Sequence, residues 1–351
     1  MYSTSKGFGT LYTFFEDEER MKYYRQAAAH GNLTAMKELA YFLRHGKGIK
    51  QNCREAFQWY LRAASFNDVD AILKVAEMYA EIGTAQNLPK ALELYKKIAN
   101  SNLYEKIDRK YSAKKIAYIY EKFFNDGRMM IKWLKKSALL GDTDARFKIA
   151  EIYRDGKFIE SSGEDALKWF TAILNDKNLS NEERYSAAFE IAQMFHKGKA
   201  VARSDTEAVK YFKLSTKANV VTARSAYTNL AKIYCTSKEI APNIGMVLHW
   251  LKKAIEVGSR QAMWIVAKIY RDGKFGVRQN GEKALEILCE TAKQNFDTVN
   301  KVSAMRMIAE MYDKGLAIPE DKQKAAKIYQ ESDLISSEWI QAINNLQLRT
   351  C

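Results

Sequence analysis

Proline is nearly absent from this chain, with three residues in 351, and cysteine occurs only four times. Scarce proline leaves long helices uninterrupted. Cys53, Cys235, Cys289 and Cys351 lie far apart with no CxxC pair, so no disulfide framework or cysteine metal site is encoded. Free thiols of this kind suit a reducing compartment; the alternative is an oxidising one in which the cysteines are incidental. Histidine is equally rare, at four, and forms no HExxH, HxxxH or Cys/His cluster, which removes the usual zinc signatures. GxxxxGK(S/T), GxGxxG and GxSxG do not occur, and the ready nucleotide-binding and α/β-hydrolase readings go with them. No apolar run approaches about 18 residues, the length of a membrane-spanning helix. Met1 to Phe15 shows no basic segment followed by an apolar one, so no leader peptide is expected there.

Negative charge is in the minority: 56 Lys and Arg face 42 Asp and Glu, a net charge of +14. The cations are spread through the whole chain and interleaved with carboxylates. That is the pattern of a solvated helical surface, not of a phosphate-tracking stripe.

What the chain has in abundance is repetition. A pentapeptide centred on alanine recurs eight times, with the alanine at 40, 76, 117, 150, 192, 231, 267 and 309. Examples are Val75-Ala76-Glu77-Met78-Tyr79 and Val266-Ala267-Lys268-Ile269-Tyr270. The steps are 36, 41, 33, 42, 39, 36 and 42 residues, a period that marks a solenoid. A second small residue sits five positions earlier, from Ala35 to Ala304, with Ser112 in the third copy. Together they give a small-residue face on a first helix, A, that lets a neighbour approach closely. Gly46, Gly156, Gly198, Gly273 and Gly315 fall where helix A should end. A second helix, B, carries bulky pairs such as Trp59-Tyr60, Trp169-Phe170 and Tyr211-Phe212 three and four residues after an alanine. The third copy has a shortened A-to-B link, Tyr120 to Trp133, without the glycine. Extra residues around Leu103–Tyr111, Lys177–Tyr185, Lys217–Arg224 and Gln294–Val302 read as lengthened B-to-A connections.

This pattern resembles the Sel1-like repeat, a relative of the tetratricopeptide repeat. The best matching stretches are Arg44 to Ile49 with Glu55 to Tyr60, and Tyr153 to Ile159 with Asp165 to Phe170. The resemblance implies an all-α, right-handed α/α superhelical solenoid of about eight helix pairs. Residues 1–33 then hold an N-terminal segment and capping helix, 34–333 the repeats, and 334–351 a C-terminal capping helix with Trp339, Ile340, Ile343 and Leu346 on one side. It further implies a non-catalytic adaptor without cofactor or metal, binding a partner protein or peptide through the concave face and the inter-repeat loops, as a bacterial effector or as a regulatory or immunity partner. The expected location is the cytoplasm or a host cell, or the periplasm if a leader has been removed. The paired disulfides of the cysteine-rich secreted branch are missing here.

If the helices pack as in tetratricopeptide repeats, A helices line the concave side. Residues three before, one after and four after each pentapeptide alanine then point inward. The candidates are Lys37, Tyr41, Arg44, Tyr118, Phe147, Arg154, Phe189, His196, Trp264, Lys268, Arg271 and Arg306. Aromatics flanked by Arg and Lys are the composition of interaction hot spots. No contiguous cationic ladder accompanies them, so an acidic peptide or protein segment suits the surface better than a nucleic-acid backbone. A basic solenoid that binds RNA or an anionic surface is the alternative.

Overall fold

A computed structural model describes residues 19–81, 87–293 and 298–347. The described residues hold 17 α-helices and no strand. The chain divides into two compact units, Met1–Ser162 and Gly163–Cys351. The first holds α1 (19–29), α2 (Leu33–His45), α3 (Cys53–Ala64), α4 (Val69–Ala80), α5 (Leu88–Asn100), α6 (Lys106–Ile119), α7 (Gly127–Leu139) and α8 (Thr143–Asp155). The second holds α9 (Gly163–Asn175), α10 (Asn181–Lys197), α11 (Asp205–Ser215), α12 (Val220–Thr236), α13 (Ile244–Glu256), α14 (Arg260–Asp272), α15 (Gly281–Lys293), α16 (Thr298–Asp313) and α17 (Lys322–Gln347). Even-numbered helices are of type A and odd-numbered ones of type B.

The small columns are the reason the helices pack as they do. All eight pentapeptide alanines are at most 3% exposed, and Ser112 is fully buried with the alanines of its column. With little or nothing beyond Cβ there, the second residue of a B-helix pair can enter the core: Tyr60, Tyr95, Phe170, Phe212, Leu251 and Leu288 are all buried. Burying each such side chain stabilises the packing by about 1.5–3 kcal/mol. Helix starts are set by side-chain caps. Asn52 and Asn243 cap B helices, and Asp68, Asp142 and Ser259 cap A helices. Gly46, Gly156, Gly198 and Gly273 end their A helices in the left-handed region, with φ between 64° and 67°.

Three features differ from the sequence expectation. Many of the extra B-to-A residues are helix, not loop. They lengthen α10 and α12 to 17 residues and α16 to 16, against 12 or 13 in α2 and α4. Only short linkers remain, as between Asn175 and Asn181, and residues 294–297 lie outside the described ones. The short A-to-B link of the third repeat is absorbed by a π-helical turn, Tyr120–Phe124, which continues α6 and ends on Asn125 at φ 50°. The segment expected as a separate C-terminal cap is continuous with the last B helix in α17; its Trp339, Ile340, Ile343 and Leu346 side chains lie outside the described residues.

One polar cluster holds the fifth repeat together and makes its stability pH-dependent. The Asp205 side chain, at the start of α11, is 2% exposed. His196 Nδ1 lies 2.8 Å from its Oδ1, and the Arg203 guanidinium donates to its Oδ2 at 3.0 Å. Burial pushes the Asp205 carboxyl up, but hydrogen bonds from His196, Ser237 and Arg203 outweigh it and hold the group below the ordinary Asp range. A lowered folded-state pKa contributes stability above the unfolded value of about 3.9, and that contribution is lost as pH falls through the folded value. Asp205→Asn should therefore cost about 1–3 kcal/mol at pH 7, and the gap to wild type should close below about pH 4. Thermal unfolding at both pH values measures it.

Candidate functional site

In the first unit the A-helix surface is largely occupied in joining repeats. Lys37 on α2 bonds Asp68, the N-cap of α4, at 2.9 Å and Asp70 at 3.1 Å. Lys114 on α6 repeats this device with Asp142, the N-cap of α8, at 3.4 Å and Asp144 at 3.1 Å. Arg44 reaches Glu77 at 3.5 Å and also pairs with Glu81. Lys37 and Arg44 are thus inter-repeat stitches.

Glu77 is the centre of this arrangement. It receives the Tyr111 hydroxyl at 2.5 Å and Lys74 at 3.0 Å besides Arg44. Burial pushes its pKa up; the hydrogen bonds from Tyr111 and Lys74, with the nearby charges, prevail and hold it below the ordinary Glu range. Around it α2, α4 and α6 form a groove of about 650 Å³, walled by Tyr41, Tyr60, Leu73, Ile107 and Tyr111. A smaller cavity of about 400 Å³ shares Glu77 and is lined by Tyr118 and Phe123. Tyr118 is 52% exposed there. Tyr41 is exposed beside His45, and its hydroxyl accepts from Lys47 at 2.9 Å. Phe147 and Arg154 on α8 are half-buried and already engaged; Arg154 bonds Asp155 at 2.7 Å.

In the second unit the candidates part company. Phe189 stacks edge-on against the buried Phe212 at 5.5 Å, and His196 is held by Asp205. Both are core or latch residues. Trp264 is different. It sits half-buried on α14 and lines two adjoining cavities. One, of about 650 Å³ between α12 and α14, carries Arg224, Lys232 and Arg260 and no carboxylate. The other, of about 610 Å³ between α14 and α16, carries Lys268, Arg271, Arg306 and Lys314, with Glu310 as its one acidic lining residue. Lys314 bonds Glu310 at 2.8 Å and, with the charges of Arg271 and Lys268, keeps it below the ordinary Glu range. Arg271 bonds Asp272 at 2.6 Å and Arg306 bonds Asp333 at 2.9 Å. Among the described residues no carboxylate pairs with Lys232, or with Lys268, whose ammonium stands 6.0 Å from the Trp264 ring centre.

The structure therefore brings Trp264, Lys268, Arg271 and Arg306 into one groove and places Tyr41 and Tyr118 in two separate cavities that share Glu77. Sequence reasoning missed Tyr111, Arg224 and Arg260. Position one after the alanine did single out Glu77, but nothing in the pattern showed that Arg44, Lys74 and Tyr111 converge on it. No group of three or more His, Cys, Asp or Glu able to hold a metal occurs among the described residues, and no described helix is long and apolar enough to cross a membrane.

The Sel1 repeat pattern matches residues 21–32, 33–65, 69–103, 131–142, 143–172, 186–220, 224–259, 260–296 and 302–332. The first of these segments covers most of α1 and the turn after it, which the sequence reading set aside as a cap. The stretch 104–130, holding α6 and its π turn, falls between matches. A Sel1 repeat protein from Oxalobacter formigenes is similar at 19% identity, over 94% of this chain and 93% of its own, with a TM-score of 0.55. A protective antigen of uropathogenic Escherichia coli with an SLR fold is similar at 20% identity, over 89% of this chain and 71% of its own, with a TM-score of 0.48. An immunity protein from Pseudomonas aeruginosa shares 15% identity, over 56% of this chain and 72% of its own, with a TM-score of 0.28.

Proposed function

The chain belongs to the Sel1 repeat family, and from that premise we propose that it is a non-catalytic scaffold whose Trp264 groove holds an acidic segment of a partner protein. Sel1 repeats generally serve protein–protein interaction. The observation that carries the finer reading is the Trp264 groove itself: a half-buried indole shared by two cavities that bring together seven cations and one carboxylate. A partner's apolar side chain would cover the indole while its carboxylates meet Lys232 and Lys268. Burial of a central aromatic ringed by charge is the usual anatomy of a binding hot spot. A nucleic-acid backbone is the poorer occupant, because Arg271, Arg306 and Lys314 are each already paired with a carboxylate and phosphate binding draws on cations free to release counterions. A role as an effector, or as the regulatory or immunity partner of another protein, accords with such a groove.

Fluorescence anisotropy with a labelled 12-residue peptide of alternating Glu and Leu tests this. Trp264→Ala and Lys268→Glu should each weaken binding about tenfold or more, equivalent to about 1.4 kcal/mol. Unchanged affinity in both variants would remove the groove from the account. Tighter binding of oligouridylate than of peptide, with a steep loss in salt, would replace the protein partner by RNA.

A further inference from the structure

The groove of the first unit has the opposite chemistry, and we infer that it is a second docking site, which takes a basic segment of a partner through Leu73, Ile107 and Tyr111 on its walls and Glu38 and Asp108 at its rim. The inference stands on different residues from the Trp264 reading and does not depend on it.

Five observations carry it. The groove is open, about 650 Å³, and spans three consecutive A helices. Its cations are committed: Lys37 is held by Asp68 and Asp70, and Lys74 by Glu77. Two of its four carboxylates are not: among the described residues no cation pairs with Glu38 or Asp108, while Asp70 and Glu77 hold Lys37 and Lys74. Asp108 is crowded by like charge, since burial and then the charges of Glu105 and Asp70 push its carboxyl up from the ordinary Asp range. A bound cation relieves that crowding. Finally, α6 supplies Ile107, Asp108 and Tyr111 from the stretch 104–130, which lies between the matched repeats. Ile107 is 63% exposed, an apolar side chain that the repeat packing does not use.

An Arg or Lys side chain fits such a surface in both its parts. Its aliphatic stem lies along Leu73 and Ile107 while its charged head reaches the carboxylates. An acidic segment would meet Glu38 and Asp108 uncompensated. Non-specific attraction cannot imitate this binding, because the whole chain carries a net charge of +14 and repels cationic peptides.

The test uses the full chain and a labelled 12-residue peptide of alternating Arg and Leu. The peptide should bind wild type, and Glu38→Lys with Asp108→Lys should weaken it about tenfold or more. Both residues are half-buried at the groove, and circular dichroism at matched temperature checks that the double variant is folded. A milder pair, Glu38→Gln with Asp108→Asn, should give an intermediate loss. The Glu/Leu peptide should bind the double variant as it binds wild type, which separates this site from the Trp264 groove. Absence of binding by the Arg/Leu peptide up to about 1 mM, a Kd near which binding is worth only about 4 kcal/mol, would overturn the inference. So would binding that is unchanged in the charge-reversed variant.

Discussion

Glu77→Ala is expected to destabilise the first unit by about 2–4 kcal/mol, among the largest effects of any polar substitution in it. The side chain is 15% exposed and receives Tyr111, Lys74 and Arg44 from three elements. Truncation leaves the Arg44 guanidinium, itself 14% exposed, with Glu81 alone, and strands the Tyr111 hydroxyl. Leaving such groups without partners costs more than the bonds themselves contribute. Glu77→Gln keeps the size and one acceptor and should cost about half as much. Chemical denaturation followed by circular dichroism measures both, and a loss under about 0.5 kcal/mol for the alanine variant would contradict the hub.

Gly163→Ala should be comparably severe in the second unit, about 2–3 kcal/mol, a fall of about 5–10 °C in the unfolding midpoint. A Cβ on Gly163 would run into the backbone carbonyl of Ala200, in the A-to-B link of the next repeat. Gly281 meets Ala317, and Gly127 meets Phe158, in the same way. The first turn of a B helix thus rests on the following repeat's link, at a residue held in the left-handed region: Ala200 at φ 61°, Ala317 at φ 62° and Phe158 at φ 71°. A backbone carbonyl cannot yield as a side-chain tip can, so the two repeats must separate. Since a solenoid is held by nearest-neighbour interfaces, one such wedge weakens the whole array. Gly245→Ala is the control. Its Cβ would meet only the Asn243 Oδ1 at 3.3 Å, and it should change the midpoint by no more than about 2 °C.

The architecture was legible in the sequence because packing leaves few choices at its columns. An alanine such as Ala76 or Ala192 is dictated by the distance between helix axes, and Gly156 by the left-handed turn that ends α8. The surface gave less, because a cation facing a neighbouring repeat looks like one facing a partner. Lys37 and Lys114 share a column with Trp264, yet the structure uses the two lysines to clamp the N-caps of the next A helices. A lysine three residues before the alanine, with Asp at the next A-helix start, was the signal available for that. Phe189 was lost to the core through Phe212, a contact across helices that spacing does not reveal. The extra B-to-A residues became helical turns because sequences such as Asn181-Glu182-Glu183 also supply a capping box with Ser180.

Site-resolved photocrosslinking tests the central claim most directly. A photoreactive residue placed at Lys268, in the Trp264 groove, is compared with one at Lys213, exposed on the B helix α11. The Glu/Leu peptide should crosslink at position 268, compete away with unlabelled peptide, and give no saturable product at 213. Equal crosslinking at the two positions, or a saturable product at 213 alone, would contradict the claim that A-helix grooves are where this scaffold binds.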